Sequence, residues 1–193
     1  MKKITLLLFV LLCSVGIYSQ NIPVSINGNY RTEAEDFGIG AQVMIPVYKG
    51  LMLAPNVTYY FEKEYNFNSA YINSNVKQKT LNYGLDIHYA FYLKNSKSFV
   101  SPFLGVEGMT GWVNISGSSL GFSSNSSGIG TSSSWSNFDG DLSHTSVLGN
   151  IGVAGKWFLD GRFFINTQVK YALVFEDSDS NHFVFTAGIG YAF

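Results

Sequence analysis

The stretch that most constrains this chain is HFVFTAGIGYAF, from His182 to Phe193. Phe183, Phe185, Ala187, Ile189, Tyr191 and Phe193 fall on one face. Val184, Thr186, Gly188, Gly190 and Ala192 fall on the other, which is the two-residue period of a β-strand with one apolar side. A water-soluble sheet hides such a side beneath a second layer. Here the opposite face is small and polar, so the pattern points to an apolar face turned toward lipid and a crowded polar face turned inward.

The rest of the composition fits little water-facing surface. Of 193 residues only 13% are charged while 16% are aromatic, against about 25% charged in an ordinary soluble domain. The net charge of -1 argues against a nucleic-acid binder, which needs a basic excess. Beyond the N-terminus no apolar run approaches the roughly 18 residues of a membrane helix, so a helical membrane protein is excluded by length. Residues 1–20 read as a cleaved signal peptide, with Lys2 and Lys3, an apolar run from Ile4 to about Val15, and Ser19 near the cut. Residues 21–193 are then the working domain. Cys13, the only cysteine, falls in the signal, and Leu12 before it is larger than a lipoprotein signal wants. Neither disulfide nor thiolate chemistry is expected, and His88, His144 and His182 are too scattered to predict a metal site or any cofactor.

Read in order, the chain predicts about eight strands: Val24 to Arg31, Phe37 to Val47, Leu51 to Phe61, Leu81 to Phe91, Val100 to Met109, Val147 to Trp157, Phe163 to Leu173, and the closing stretch. They are longer than the five or six residues usual in soluble sheets. Tight turns at Tyr48-Lys49-Gly50 and Leu159-Asp160-Gly161 alternate with long polar connections, Glu62 to Lys79 and Asn114 to Thr145, the second rich in Ser and Gly and expected to be flexible and exposed. All four prolines, Pro23, Pro46, Pro55 and Pro102, fall toward the tight-turn side, as expected of residues that cannot donate to a ladder and belong at strand ends. Aromatics gather at both ends of the strands, with Tyr30, Tyr59, Trp112 and Phe175 at one and Tyr48, Phe91, Trp157, Phe163 and Tyr191 at the other.

Charge parity tests the reading. Asp86, Glu107, Lys156 and Lys170 all alternate with the apolar files, so they are expected to form an interior charge network, with Glu107 and Lys156 paired on neighbouring strands and Asp86 and Lys170 beside them. Gly188 and Gly190 are expected to make room for bulky inward side chains such as Phe103 and Lys156. A secreted β-sandwich also alternates, but would have to cover this apolar surface and usually carries more charge. The predicted architecture is all-β: an eight-stranded antiparallel up-and-down transmembrane β-barrel.

With its N-terminal signal, alternating strands, Gly-rich inner faces and terminal GIGYAF, the chain resembles the small outer-membrane barrels of the OmpA/OmpX type, loosely called porin-like. The resemblance spans essentially all of residues 21–193. It implies a cell outer-membrane location, contact with outer-membrane lipids and lipopolysaccharide, a monomer, and a C-terminal assembly signal at Tyr191 and Phe193 read by the barrel-insertion machinery. A counterpart of the peptidoglycan-binding half of the OmpA layout is not expected.

Function is less constrained. The leading expectation is a non-enzymatic envelope protein whose surface loops serve envelope integrity, adhesion or partner binding, with no nucleic-acid partner. A narrow channel for small solutes is the alternative. Because an eight-stranded barrel is just wide enough to be filled by side chains, the interior charges are expected to plug it. A third reading is a lipid A-modifying enzyme using His144 and Ser146, but both follow the inward parity of Leu148, whereas a lipid-cleaving pair must face the bilayer. Glu176, Asp177 and Asp179 read as a solvated acidic loop in preference to a cation site.

Overall fold

The alternation in the sequence resolves into the staves of one sheet that closes on itself. The computed structural model describes residues 22–68, 72–94, 96–124, 131–175 and 181–193. The expected signal peptide with Cys13, and the acidic residues Glu176, Asp177 and Asp179, lie outside them. Ten antiparallel segments follow in order: β1 Pro23–Arg31, β2 Asp36–Val43, β3 Ile45–Tyr48, β4 Leu51–Asn68, β5 Ile72–Tyr89, β6 Phe91–Tyr92, β7 Phe99–Ser124, β8 Thr131–Asp160, β9 Phe163–Val174 and β10 His182–Ala192. Pairing runs β1–β2, β2 and β3 with β4, β4–β5, β5 and β6 with β7, β7–β8, β8–β9 and β9–β10, and β1 pairs with β10 from Pro23↔Ala192 to Arg31↔Val184, which closes the ring. Since β2 with β3, and β5 with β6, are each one interrupted strand, the ten segments make a closed barrel of eight staves.

The two interruptions have a common cause. The gap between Gln42↔Asn56 and Ile45↔Leu53 takes in Val43 and Met44, and Pro55 is the residue across from Val43. The gap between His88↔Phe103 and Phe91↔Val100 takes in Tyr89 and Ala90, and Pro102 is the residue across from Tyr89. A proline has no N–H to give its neighbour, so the ladder loses a rung and the partner strand breaks there. The sequence places these two prolines at strand ends; the structure puts them inside β4 and β7, still paired on their other sides with Leu85 and Val153.

The other departure is at the opposite end of the barrel. The connections expected over 62–79 and 114–145 are not loops for most of their length. β4 and β5 stay paired to Asn68↔Asn73, and β7 and β8 to Ser124↔Thr131. β5 and β7 are also paired up to Ile72↔Ser119, so β4, β5, β7 and β8 rise together as a four-stranded extension above a rim where the other staves stop. Ser, Gly and Asn are weak strand formers, but each hairpin here continues strands the barrel already holds in register, so little further ordering is needed to extend them.

Within the barrel the side chains alternate strictly. Along β9 the odd positions from Phe163 to Leu173 point outward and the even ones from Phe164 to Val174 are buried; along β10, His182, Val184, Thr186 and Ala192 are buried while Phe183, Phe185 and Ile189 are exposed, Ile189 by 72%. Glycines open space where inward side chains collide. A Cβ at Gly188 would strike Ile26 O and Asn27 Oδ1 and come within 2.8 Å of Asn27 Cα; one at Gly190 would strike the Phe164 ring. The large side chains these two residues admit are therefore Asn27 and Phe164. Phe103, which the sequence assigned to them, lies instead over Gly152, whose Cβ would be 2.6 Å from Phe103 Cζ, and neither added Cβ has Lys156 among its nearest neighbours.

Gly188→Ala is expected to destabilise the barrel by about 1–3 kcal/mol, the usual penalty for overpacking. Gly111→Ala, where an added Cβ meets nothing within 4 Å, should change stability by less than about 0.5 kcal/mol. Urea titration followed by tryptophan fluorescence distinguishes the two.

Candidate functional site

The barrel interior is built in layers, beginning at the end that carries the tight turns. The first layer is apolar: Met44, Met52, Ala54, Ala90 and Phe99 pack with Phe158 against them. Met44 and Ala90 are the residues at the two strand breaks, so the interruptions fall at this plug.

Above it lies a polar layer. Lys156, Asn166, Gly188 and Asn27 stand opposite one another on four successive strands, β8, β9, β10 and β1. Lys156 Nζ donates to Asn166 Oδ1 at 3.1 Å, and Asn166 Nδ2 donates to Asn27 Oδ1 at 2.8 Å, passing over Gly188. The ammonium also sits 4.6 Å from the centre of the Phe164 ring. On the facing wall His88 stacks on Phe103 with ring centres 4.5 Å apart, and its Nδ1 lies 3.1 Å from Ser101 Oγ.

The third layer holds the carboxylates. Gly84 stands opposite Glu107, and Asp86 opposite Gly105, on β5 and β7. Each acidic side chain thus lies over a glycine of the neighbouring strand, where a Cβ would collide with it. This reciprocal arrangement, written in the sequence as Gly84-Leu85-Asp86 and Gly105-Val106-Glu107, brings two acids together inside the wall. Glu107 forms a buried ion pair with Lys170 and accepts a bond from Asn82 Nδ2 at 3.4 Å. Asp86 accepts from Asn56 Nδ2 at 2.8 Å.

Asp86, Glu107, Lys156 and Lys170 are all buried, but they do not pair as the sequence suggested. Lys156 stands opposite Phe99 and Glu107 opposite Leu148, eight residues apart along the strand or about 27 Å at the rise of an antiparallel strand. Lys156 is held by an amide and a ring, and Glu107 is neutralised by Lys170. The sequence reading also missed an ion pair at the rim. Arg31 donates to both oxygens of Asp36, at 3.0 and 2.5 Å, and its guanidinium lies 4.5 Å from the centre of the buried Tyr60 ring. Arg31 alternates in register with Ser25, Asn27 and Asn29, but Asp36 falls before the strand expected from Phe37, so the alternation does not join the two.

Between these layers the space is nearly filled. The mid-lumen cavity, lined in part by Gln42, Asn56 and Lys170, measures about 20 Å³, about the size of one water molecule. At the rim the lumen widens into a cup of about 660 Å³ bounded by the barrel mouth and the inner face of the extension. His144 and Ser146 line this cup.

Sidedness reverses where the extension begins. Within the barrel the outward rows are apolar, as in Val57–Tyr83 and Pro55–Leu85–Val106. Above Tyr60, where β4 carries a bulge, Glu64, Lys77, Asn114 and Asp141 form an outward row, and Glu62 pairs with Lys77 at 3.7 Å. The inward rows there are Tyr65–Val76–Ile115 and Lys63–Gln78–Val113–Leu142. Rings of aromatic contacts mark both ends of the apolar belt. Tyr30 with Phe37, Tyr59 with Phe61, and Tyr171 with Phe183 lie on the extension side; Tyr89 with Phe91, and Phe163 with Tyr191 and Phe193, lie on the other.

The architecture has close counterparts among solved structures. The fold is that of the small outer-membrane barrels. The chain is similar to the N-terminal β-barrel domain of Pseudomonas aeruginosa OprF, at 13% identity and TM-score 0.50, over 91% of this chain and 98% of that one. It is equally similar to Ail, the attachment invasion locus protein of Yersinia pestis, at 13% identity and TM-score 0.50 over 90% and 97%. A major outer membrane protein from Thermus thermophilus aligns at 11% identity and TM-score 0.56 over 91% and 100%. No protein-family model and no curated protein matches the sequence. At these identities the likeness is one of fold, so this chain's chemistry has to be read from its own lumen and extension.

The ion pair yields a test. Lys170→Met alone should cost about 3–5 kcal/mol, because it strands Glu107 in the lumen. Adding Glu107→Gln should recover much of that loss. The same cycle run with Lys156→Met and Glu107→Gln should be additive to within about 0.5 kcal/mol, measured by chemical denaturation of the folded barrel.

Proposed function

We propose that this chain is an integral outer-membrane protein of a bacterial envelope that acts without catalysis, through its four-stranded extension standing outside the cell. The observation that carries this reading is the reversal of sidedness at one level across four strands. An apolar belt faces outward below that level and a charged surface faces outward above it, which is the distribution a bilayer with water above it requires. The closed ladder leaves no unpaired backbone edge within the belt, so a monomer satisfies the demands of hydrocarbon without a partner.

The extension is not closed. β8 pairs with β9 only as far as Leu148↔Val174, and β4 with β2 only as far as Gly38↔Tyr60. Above those points, among the described residues, both outer strands present an open edge, which invites strand addition by another chain. Together with the charged outward face, this favours a role in contact with lipopolysaccharide, a host surface or another protein. Assembly would use the C-terminal strand, with Tyr191 and Phe193 as the signal read by the barrel-insertion machinery; their rings meet edge to face with centres 5.0 Å apart at the tight-turn rim. His144 and Ser146 line the cup and not the lipid-facing wall, which counts against a lipid-cleaving role.

Cysteine substitutions test the orientation. Asp141→Cys, on the extension, should react with an impermeant maleimide on intact cells, while Lys49→Cys, in a tight turn, should react only after the cells are broken. The opposite result would invert the topology. In planar bilayers the purified barrel should pass no resolvable single-channel current, given the mid-lumen cavity of about 20 Å³; steady conductance would favour the solute channel instead.

A further inference from the structure

The inner face of the extension carries an apolar patch above the barrel mouth. Tyr65, Val113 and Leu142 line the cup together with Met109, and Leu142 is 63% exposed. An outward polar face is what water selects, but an inward apolar face above the membrane serves no purpose in lipid and is costly to leave wet. Beneath it, Thr80 and Ser146 are buried at the base, and a separate cavity of about 20 Å³ lies further down the lumen.

We propose that this cup is a binding site for a small neutral amphiphile, with an apolar or aromatic body against Tyr65, Val113, Leu142 and Met109 and a hydroxyl-type head at the Thr80 base. This deepens the reading of the extension as the working part of the molecule and rests on it only for access from outside the cell. Size argues for a small molecule: about 660 Å³ lies within the roughly 300–1,000 Å³ range of small-molecule sites, which are likewise apolar with a few convergent polar groups. Charge argues for neutrality. The cation at the base, Arg31, is satisfied by Asp36, and Glu33 at the rim lies 3.6 Å from His182. Lys63, which shares the inward row of Val113 and Leu142, donates to Ala34 O at 2.7 Å, so both cations are engaged, whereas Thr80 and Gln78 supply a hydroxyl and a carboxamide on the wall.

The test uses the full barrel refolded in lipid nanodiscs, with methyl-labelled Val, Leu and Met, and 1-naphthol as the probe. Val113, Leu142 and Met109 methyl signals should shift saturably, whereas lipid-facing Val57 and Leu85 should shift only linearly as the probe partitions into lipid. The double variant Val113→Thr/Leu142→Gln should bind about tenfold more weakly while keeping the heat-modifiable gel migration of the folded barrel. Cup signals that shift no more than lipid-facing ones, or saturation unchanged in the double variant, would overturn the assignment. So would loss of the cup signals with rising protein concentration in the absence of probe, which would mean that a second copy covers this face. The nanodisc measurement is blind to orientation in cells, so a failed surface-labelling experiment and a failed binding experiment remain distinguishable.

Discussion

Everything in this structure depends on the ladder between the first and last strands. Once β1 is zipped to β10 from Pro23↔Ala192 to Arg31↔Val184, no strand in the apolar belt has a free edge, and the outward face can be fully hydrophobic. Closure also creates the interior, where polar groups lose water and must find one another. The amide bridge from Asn166 to Asn27, the Lys170–Glu107 pair and the Arg31–Asp36–Tyr60 cluster all answer that demand. The filled lumen is thus a consequence of closing so few staves, since a ring of this size leaves an interior of side-chain width.

Much of this is legible in the sequence, because a period of two reports sidedness directly. The inward placement of Asp86, Glu107, Lys156 and Lys170 follows from parity alone. Height along the barrel does not. Parity says that Glu107 and Lys156 share the lumen, but only the register reveals that eight residues separate them, and that Lys170 reaches Glu107 across β8. The same limit hid the partner of Arg31, since Asp36 sits on the far side of a four-residue turn, Thr32 to Glu35, where no alternation links the two.

The extension escaped the sequence reading for a different reason. Alternation continues through Glu62 to Lys79, but with its polarity exchanged, so a search for outward apolar files stops at Phe61. From Asn114 onward the residues are mostly Ser, Gly and Asn, whose own preference is for turns. The strand conformation there is inherited from the barrel below and not encoded locally. The prolines are the converse case: the sequence locates them correctly near one end, yet their effect falls on the partner strands, at Met44 and Ala90.

The row Lys156–Asn166–Gly188–Asn27 carries one more implication. A side-chain bridge that passes over β10 fits only if the residue beneath it lacks a side chain. Sliding β10 by two residues would bring either Thr186 or Gly190 under the bridge. Thr186 would obstruct it with its Cβ, and Gly190 could reach it only by surrendering the space that Phe164 occupies. A shift by one would turn Phe183 and Phe185 into the lumen. The closing strand therefore carries its own alignment mark, so that of the several ways this sheet might be zipped shut, one is singled out by a glycine.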